Sequence, residues 1–326
     1  MRRLRLRSDR FPAFMTLRSR RSLLIVATFL LFAPLVPASP EPAGPKPVAR
    51  PSLRLGVIAE QQNEPDRMLR IYADLLSALR ARLAPHGVDV APLVIAQDLA
   101  DLSHRLTRKE VDMVAETLFV TLDLQTENLF AVQPSLAVVR RNQREYHSVF
   151  FTAKNSRIRK LEDLRGKTLV LQAERSTSAF AVPRAELSRR AIKVVPLGQP
   201  GAPKGSVFYA FAGAELNQAV WVLRGRGDAG AFNEGDWERL PRKIQDGLVV
   251  FHETKPLLRG LLSFRPGMDP EVRSATEEAL LEMHQSPAGQ AALAKAGGIT
   301  RFERLTPWDL AGVNEWRQAL RGAAAR

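Results

Sequence analysis

From Ser52 onward, short apolar runs alternate with stretches whose apolar residues recur at helical spacing, and this alternation restricts the fold more than any other feature of the chain. "SLRLGVIA" reads as a strand. "PDRMLRIYADLLSALRARLA" follows, with Met68, Ile71, Leu75, Leu79 and Leu83 on one helical stripe. After Gly87 comes a second strand, "VDVAPLVI", then a short helix, "DLADLSHRLTRKE", opened by Asp98, then a third strand, "VDMVAE". A β-α-β-α-β order predicts parallel strands joined by crossover helices.

The second half repeats the habit. "YHSVFFTA", "KTLVLQA", "SVFYAFA", the end of "ELNQAVWVLRGRGDAGAFN" and "GLVVFHET" read as strands, with helices or helical turns between them. The end of the chain differs. "DPEVRSATEEALLEMHQ", "SPAGQAALAKAG" and "TPWDLAGVNEWRQALRG" read as three successive helices, the second capped by Ser286, with Pro287 in its first turn and Gly297 as its stop. The expected class is therefore α/β, two α/β units followed by a helical C-terminal tail.

Within this frame "ERSTSAFAVPRAEL" stands out, because Ser176, Thr177 and Ser178 fall together just after the strand "KTLVLQA". One hydroxyl suffices to cap the helix that follows. Three offer more donors than a cap requires, and a helix start with unpaired N–H groups suits an anion. Open α/β sheets bind ligands outside the carboxyl ends of their strands, and the cluster lies at such an end. Pro183, just past the first turn, predicts a kink or a late helix start.

Charge and composition exclude several classes. The formal charge is +14, but residues 1–38 hold eight Arg and one Asp, so half of it lies there. No later Lys/Arg run is interleaved with aromatics, and no nucleic-acid partner is expected. The chain has no cysteine, which removes disulfides, thiolate metal sites, a cysteine nucleophile and a lipidated leader. His86, His104, His147, His252 and His284 are scattered without zinc spacing, so neither a metal nor a cofactor is expected. Residues 1–38 have a basic lead, an apolar core over residues 23–36 and small residues for cleavage, the pattern of a secretory signal peptide or, failing cleavage, of an anchor. "PASPEPAGPKPVARP" reads as a Pro-rich linker over residues 39–52.

The order of pieces resembles the phosphonate/phosphite-type periplasmic substrate-binding proteins of ABC importers. "LEDLRGKTLVLQAERSTSAFAVPRAEL" is similar to the family's Ser-Thr-Ser signature, "AVWVLRGRGDAGAFN" to its helix–Gly–strand segment, "LRLGVIAE" to its first strand and "YHSVFFTAKNSRIRKLEDL" to its lobe crossover. The resemblance implies a two-lobed, type II binding-protein fold with the ligand in the cleft between lobes. Lobe one is expected over residues 53–146 plus 256–326, lobe two over 147–255, with crossings near 146–148 and 254–258. It also implies that Ser176, Thr177 and Ser178 hold the ligand's oxygens, that the ligand is a small anion or zwitterion, and that an inner-membrane ABC permease is the partner of a periplasmic monomer.

The sequence departs from that family at two places. Glu215 occupies the position where phosphonate-binding members often carry a histidine donor, and Glu116-Thr117-Leu118-Phe119 replaces a Gly-Pro-aromatic segment. A carboxylate beside a phosphonate is repulsive unless protonated or paired. Glu116 and Glu215 either face a donor on the ligand or point to solvent or an arginine. Thr117, Asn217, Tyr146, Gln61 and Asn233 are further cleft candidates, placed at strand ends or at a crossover. The alternative class is an enzyme on the same fold, with Glu116 and His147 as an acid–base pair; no nucleophile elbow, metal set or Cys/His pair supports it.

Overall fold

The computed structural model describes residues 50–59, 64–126 and 132–324. The leader and nearly all of the Pro-rich linker lie outside these residues. In chain order the first elements are β1 (Ser52–Leu53), β2 (Leu55–Ile58), α1 (Glu64–Leu83), β3 (Asp89–Val90), β4 (Val94–Ala96), α2 (Leu99–Thr107), β5 (Met113–Glu116), α3 (Leu118–Thr126), β6 (Gln133–Arg140) and β7 (Glu145–Tyr146). Then follow β8 (Ser148–Ala153), β9 (Thr168–Leu171), α4 (Val182–Ser188), β10 (Val194–Pro196), β11 (Val207–Phe211), α5 (Glu215–Leu223), β12 (Ala229–Asn233), α6 (Glu234–Glu238), α7 (Arg242–Gln245) and β13 (Leu248–Glu253). The last group is β14 (Leu257–Leu258), β15 (Leu261–Phe264), α8 (Pro270–Glu282), α9 (Pro287–Lys295), β16 (Ile299–Arg304) and α10 (Pro307–Ala324).

Two six-stranded sheets carry the fold, a two-lobed α/β architecture of type II. One has the order β16-β6-β15-β5-β2-β4 and the other β10-β11-β9-β12-β8-β13. In the first, β2 runs parallel to β4 and β5, while β15 runs antiparallel to β5 and β6. The carboxyl ends of β2, β4, β5 and β6 therefore lie on one edge, together with the start of β15. In the second, β9, β10, β11 and β12 are parallel, and β8 is antiparallel to both β12 and β13. The carboxyl ends of β9 to β13 share an edge with Ser148, the first residue of β8. Between the sheets the chain passes through β7 going out and β14 coming back, and these two pair antiparallel, Tyr146 opposite Leu257.

Local chemistry explains the helices. Asp98 accepts from the Asp101 N–H at 2.8 Å and starts α2, and Ser286 accepts from Gly289 N–H at 3.2 Å and starts α9 behind Pro287. Leu75, Leu79 and Leu83 bury the predicted face of α1 against the first sheet, in a core with Leu55, Val57, Met113, Leu136 and Phe264. Such burial stabilises by ~25 cal/mol per Å² of apolar surface.

The tail is not purely helical. "ITRFER" forms β16 between the turn at Gly297-Gly298 and α10, with Ile299 and Phe302 buried against the first core. Its alternation is brief and broken by the register shift between Ile299 and Arg301, which is why it reads weakly as a strand. The antiparallel strands β6 and β15 and the helix α3 also go beyond the β-α-β-α-β expectation.

A further apolar cluster joins segments far apart in sequence. Val182 and Ala185 of α4 pack with Leu118, Phe119 and Leu122 of α3, with Tyr146, Leu257 and Leu258 of the crossing strands, and with Val313 and Trp316 of α10. The helix that follows the hydroxyl cluster is thereby fixed to elements that belong to the first sheet's half of the fold.

Candidate functional site

The site begins where β9 ends. Ser176 is extended (φ −72°, ψ 122°), and its Oγ accepts from Ala179 N–H at 3.2 Å. It is the cap. The turn behind it, Thr177–Ala181, is wide, with Ala181 N–H bonded to Ser176 C=O at 3.0 Å and Ala179 off helical geometry at φ −107°. Pro183 cannot donate an N–H, so regular α-helix starts only at Val182. The kink expected near Pro183 thus takes the form of this wide turn.

The other two hydroxyl residues behave differently. Thr177 is buried, 7% exposed, and among the described residues its Oγ1 completes no hydrogen bond; the Tyr146 phenol is a polar neighbour. A buried hydroxyl without a partner costs free energy that a bound acceptor can recover. Ser178 is buried as well, and its carbonyl accepts from Ser148 Oγ at 2.6 Å, which pins the turn to the start of β8. Ser148 N–H donates in turn to Thr254 Oγ1 at 3.0 Å.

Tyr146 lies buried on β7, and burial raises its pKa above the ordinary phenol range, with Arg259 acting in the opposite direction. The Arg259 guanidinium stands 4.8 Å from the centre of the Tyr146 ring, a cation–π distance. Asn233, buried at the end of β12, caps α6: its Oδ1 accepts from Asp236 N–H at 3.1 Å and its Nδ2 donates to the Asp236 carboxylate. The neighbouring carboxylate, Glu234, accepts from the His147 N–H, and His147 Nδ1 sits 2.9 Å from the Thr254 carbonyl.

The structure brings Tyr146, Thr177 and Ser178 together, with Asn233 nearby, opposite Ser148 in the β12–β8 register. Glu116 and Thr117 lie on the edge of the first sheet. Glu116 ends β5, half-buried, with the Tyr72 phenol within its electrostatic reach. Thr117 Oγ1 faces the Val120 N–H at 3.4 Å and its carbonyl accepts from Thr121 N–H at 3.0 Å, so it opens α3. Glu215 is the first residue of α5 and half-buried; Asn217 is exposed and donates to the Ala212 carbonyl at 3.0 Å, closing its own loop. Gln61 falls outside the described residues.

Two residues of this region were not among the sequence candidates, Arg259 and Arg140. Arg259 follows β14 and Arg140 ends β6. Both are half-buried, and among the described residues neither forms an ion pair. Burial lowers the pKa of Arg259; Tyr146 and Asp236 act against this, and the guanidinia of Arg141 and Arg140 with it. In "KPLLRGLLSF" the only signal was an arginine beside a glycine where the chain crosses between sheets. Among the described residues no set of three His, Asp or Glu side chains is arranged to hold a metal ion.

Comparison with known proteins gives the context. The sequence matches the family described as "ABC transporter, phosphonate, periplasmic substrate-binding protein" over residues 57–310. Among curated proteins none matches. Among solved structures, XAC2383 from Xanthomonas citri bound to chloride ion is similar, with 29% identity, TM-score 0.74, and coverage of 84% of this chain and 99% of that one. The same protein bound to ATP gives 28% identity, TM-score 0.74, and coverage of 84% and 98%. A binding protein component of an ABC phosphonate transporter, PA3383 from Pseudomonas aeruginosa, shares the fold at 17% identity, TM-score 0.57, and coverage of 85% and 89%.

Proposed function

The chain belongs to the phosphonate-type periplasmic substrate-binding proteins of ABC transporters, a family of solute-binding proteins, and from that premise we propose that it captures a small oxyanion, phosphonate, phosphite or phosphate-like, and delivers it to an inner-membrane permease. The observation that carries the ligand class is Thr177: a buried hydroxyl that completes no hydrogen bond among the described residues, on a turn capped by Ser176 and pinned at the Ser178 carbonyl, next to the Tyr146 phenol, over whose ring Arg259 stands. Ser176 Oγ and the Ser178 carbonyl are engaged in holding the turn's shape, and Thr177 Oγ1 is a donor left for a ligand. The two ligands named for XAC2383, chloride and ATP, are both anions and support the same reading.

The protein acts as a monomer and without chemistry of its own. The lobes divide at residues 146–148 and 254–258, with residues 53–146 plus 256–326 on one side and 147–255 on the other. They close on the ligand as a hinge, and the leader is removed on export. Ser176, Ser178, Asn233, Glu116, Thr117, Glu215 and Asn217 line or shape the cleft around Thr177 and Tyr146.

A thermal-shift panel of phosphate, phosphite, methylphosphonate, sulfonates and phosphorylated metabolites tests this. Ligand at about 100 times its dissociation constant stabilises by ~2.7 kcal/mol, a shift of several degrees. A saturable shift with a phosphorus oxyanion is expected. A panel that stabilises only with cationic or neutral solutes overturns the reading.

A further inference from the structure

Arg259 is a poor fit to a purely structural role. It sits on the returning connection between the sheets, its N–H bonded to the Arg144 carbonyl at 2.9 Å, which fixes the backbone beneath it. Its guanidinium lies over the Tyr146 ring at 4.8 Å, half-buried. The ring supplies some cation–π stabilisation, and among the described residues the guanidinium N–H donors complete no hydrogen bond.

Its surroundings add positive charge. Val138 N–H bonds the Gly260 carbonyl at 2.9 Å, so the end of β6 runs alongside Arg259 and presents Arg140 and Arg141 there. The turn after β6 is closed by two backbone bonds between Arg140 and Gln143, at 3.1 and 2.8 Å, and it holds Arg141 and Asn142 at positive φ, 50° and 62°. Positive φ at both central residues is the pattern of a type I′ hairpin turn, which fixes the backbone from which Arg140 and Arg141 project. The neighbouring carboxylates are already committed: Glu234 to the His147 N–H, Asp236 to Asn233 and Arg239. Arg144, two residues before Tyr146, is held by Asp309 and Glu303.

Resting on the oxyanion reading above, we propose that Arg259 is the specificity-determining charge of the site: with the Tyr146 ring beneath it, Thr177 neighbouring that tyrosine's phenol, and Arg140 and Arg141 reinforcing the field, it selects a phosphonate-type dianion over a monoanion of the same shape. Hydroxyls and N–H groups accept either charge state. An unpaired, half-buried guanidinium with like charges around it gains most from the more highly charged ligand.

The test is a pair of ligands alike in shape and different in charge, methylphosphonate as its dianion and methanesulfonate as a monoanion. Titration calorimetry on the wild-type protein, Arg259→Gln, Arg259→Lys and Arg140→Gln reads the ratio of the two affinities, with circular dichroism to check folding. The wild type is expected to prefer methylphosphonate by at least ~tenfold, about 1.4 kcal/mol. Arg259→Gln brings the ratio close to one, Arg259→Lys restores part of it, and Arg140→Gln lowers it less. A wild-type ratio near one overturns the proposal without any variant, and so does an Arg259→Gln protein that keeps the ratio. If Arg259→Gln does not fold, an unchanged ratio in both Arg259→Lys and Arg140→Gln overturns it. Binding of neither probe overturns the dianion assignment, while the wider panel decides the oxyanion reading separately.

Discussion

The Arg189 guanidinium lies 4.6 Å from the centre of the Trp316 ring, and its Nη2 is 3.6 Å from the Glu315 carboxylate. Arg189 directly follows α4, the helix launched by the hydroxyl turn, while Trp316 and Glu315 belong to α10. Glu315 also meets Lys255, beside β14, at 2.8 Å. The C-terminal helix thus touches both the returning connection and the helix behind the site, so the turn that carries Thr177 is positioned in part by residues some 140 positions later in the chain.

Trp316 is 3% exposed and packs with Phe119, at 5.9 Å between ring centres. Trp316→Ala is expected to cost ~3–5 kcal/mol, the range for removing a buried aromatic. Urea denaturation reads this as a lower midpoint. A loss below ~1 kcal/mol would mean α10 is not seated as described.

Asp309 and Arg144 give a pH dependence. Arg144 donates to both carboxylate oxygens of Asp309, at 2.8 and 2.6 Å, and holds its pKa at about 2 against an ordinary 3.8. A depressed carboxylate contributes stability that is present above its unfolded pKa and is lost as pH falls through the folded one. Asp309 is buried, so the contribution is about 2 kcal/mol, lost between roughly pH 4 and pH 2. Asp309→Asn should flatten that part of the acid-unfolding curve; an unchanged slope would show that the pair contributes nothing.

Ser176 and Thr177 separate structure from binding. Ser176→Ala removes the cap bond to Ala179 and is expected to lower stability by ~1 kcal/mol. Thr177→Val removes a hydroxyl that completes no hydrogen bond among the described residues, so the free protein is expected to keep or gain stability while ligand affinity falls by ~1–3 kcal/mol. Melting curves with and without ligand distinguish the two. A Thr177→Val protein with full affinity would exclude Thr177 from the site.

Gly289, in the first turn of α9, leaves no room for a side chain: a Cβ there would fall onto the Met283 carbonyl. Gly289→Ala is expected to destabilise by ~1–3 kcal/mol, as overpacking against backbone does. Because α9 packs chiefly on α1 and β16, ligand affinity should stay at the wild-type value. Unchanged stability on denaturation would contradict the packing.

The periodic elements were legible in the sequence for a physical reason. A helix such as α1 buries one stripe, so Leu75, Leu79 and Leu83 announce it without reference to the rest of the chain. Caps are equally local, and Asp98 and Ser286 act within three residues of themselves. The strands β6, β15 and β16 were less visible. They are held by partners distant in sequence, and Phe302 is buried only because β6 and the first core lie beneath it.

The sequence by itself determined the two α/β units, the helix starts and the position of three hydroxyls after a strand, because periodicity, capping and turn chemistry act over a few residues. The tertiary structure alone decided which hydroxyl is a cap and which is left unpartnered. Ser176 and Thr177 are neighbours of similar chemistry, and only the wide turn, the pin at Ser148 and the packing of Tyr146 set them apart. It also decided that Arg259 stands over the Tyr146 ring. Its place there comes from the pairing of β14 with β7, residues more than a hundred positions apart, and no local pattern encodes a contact across that distance.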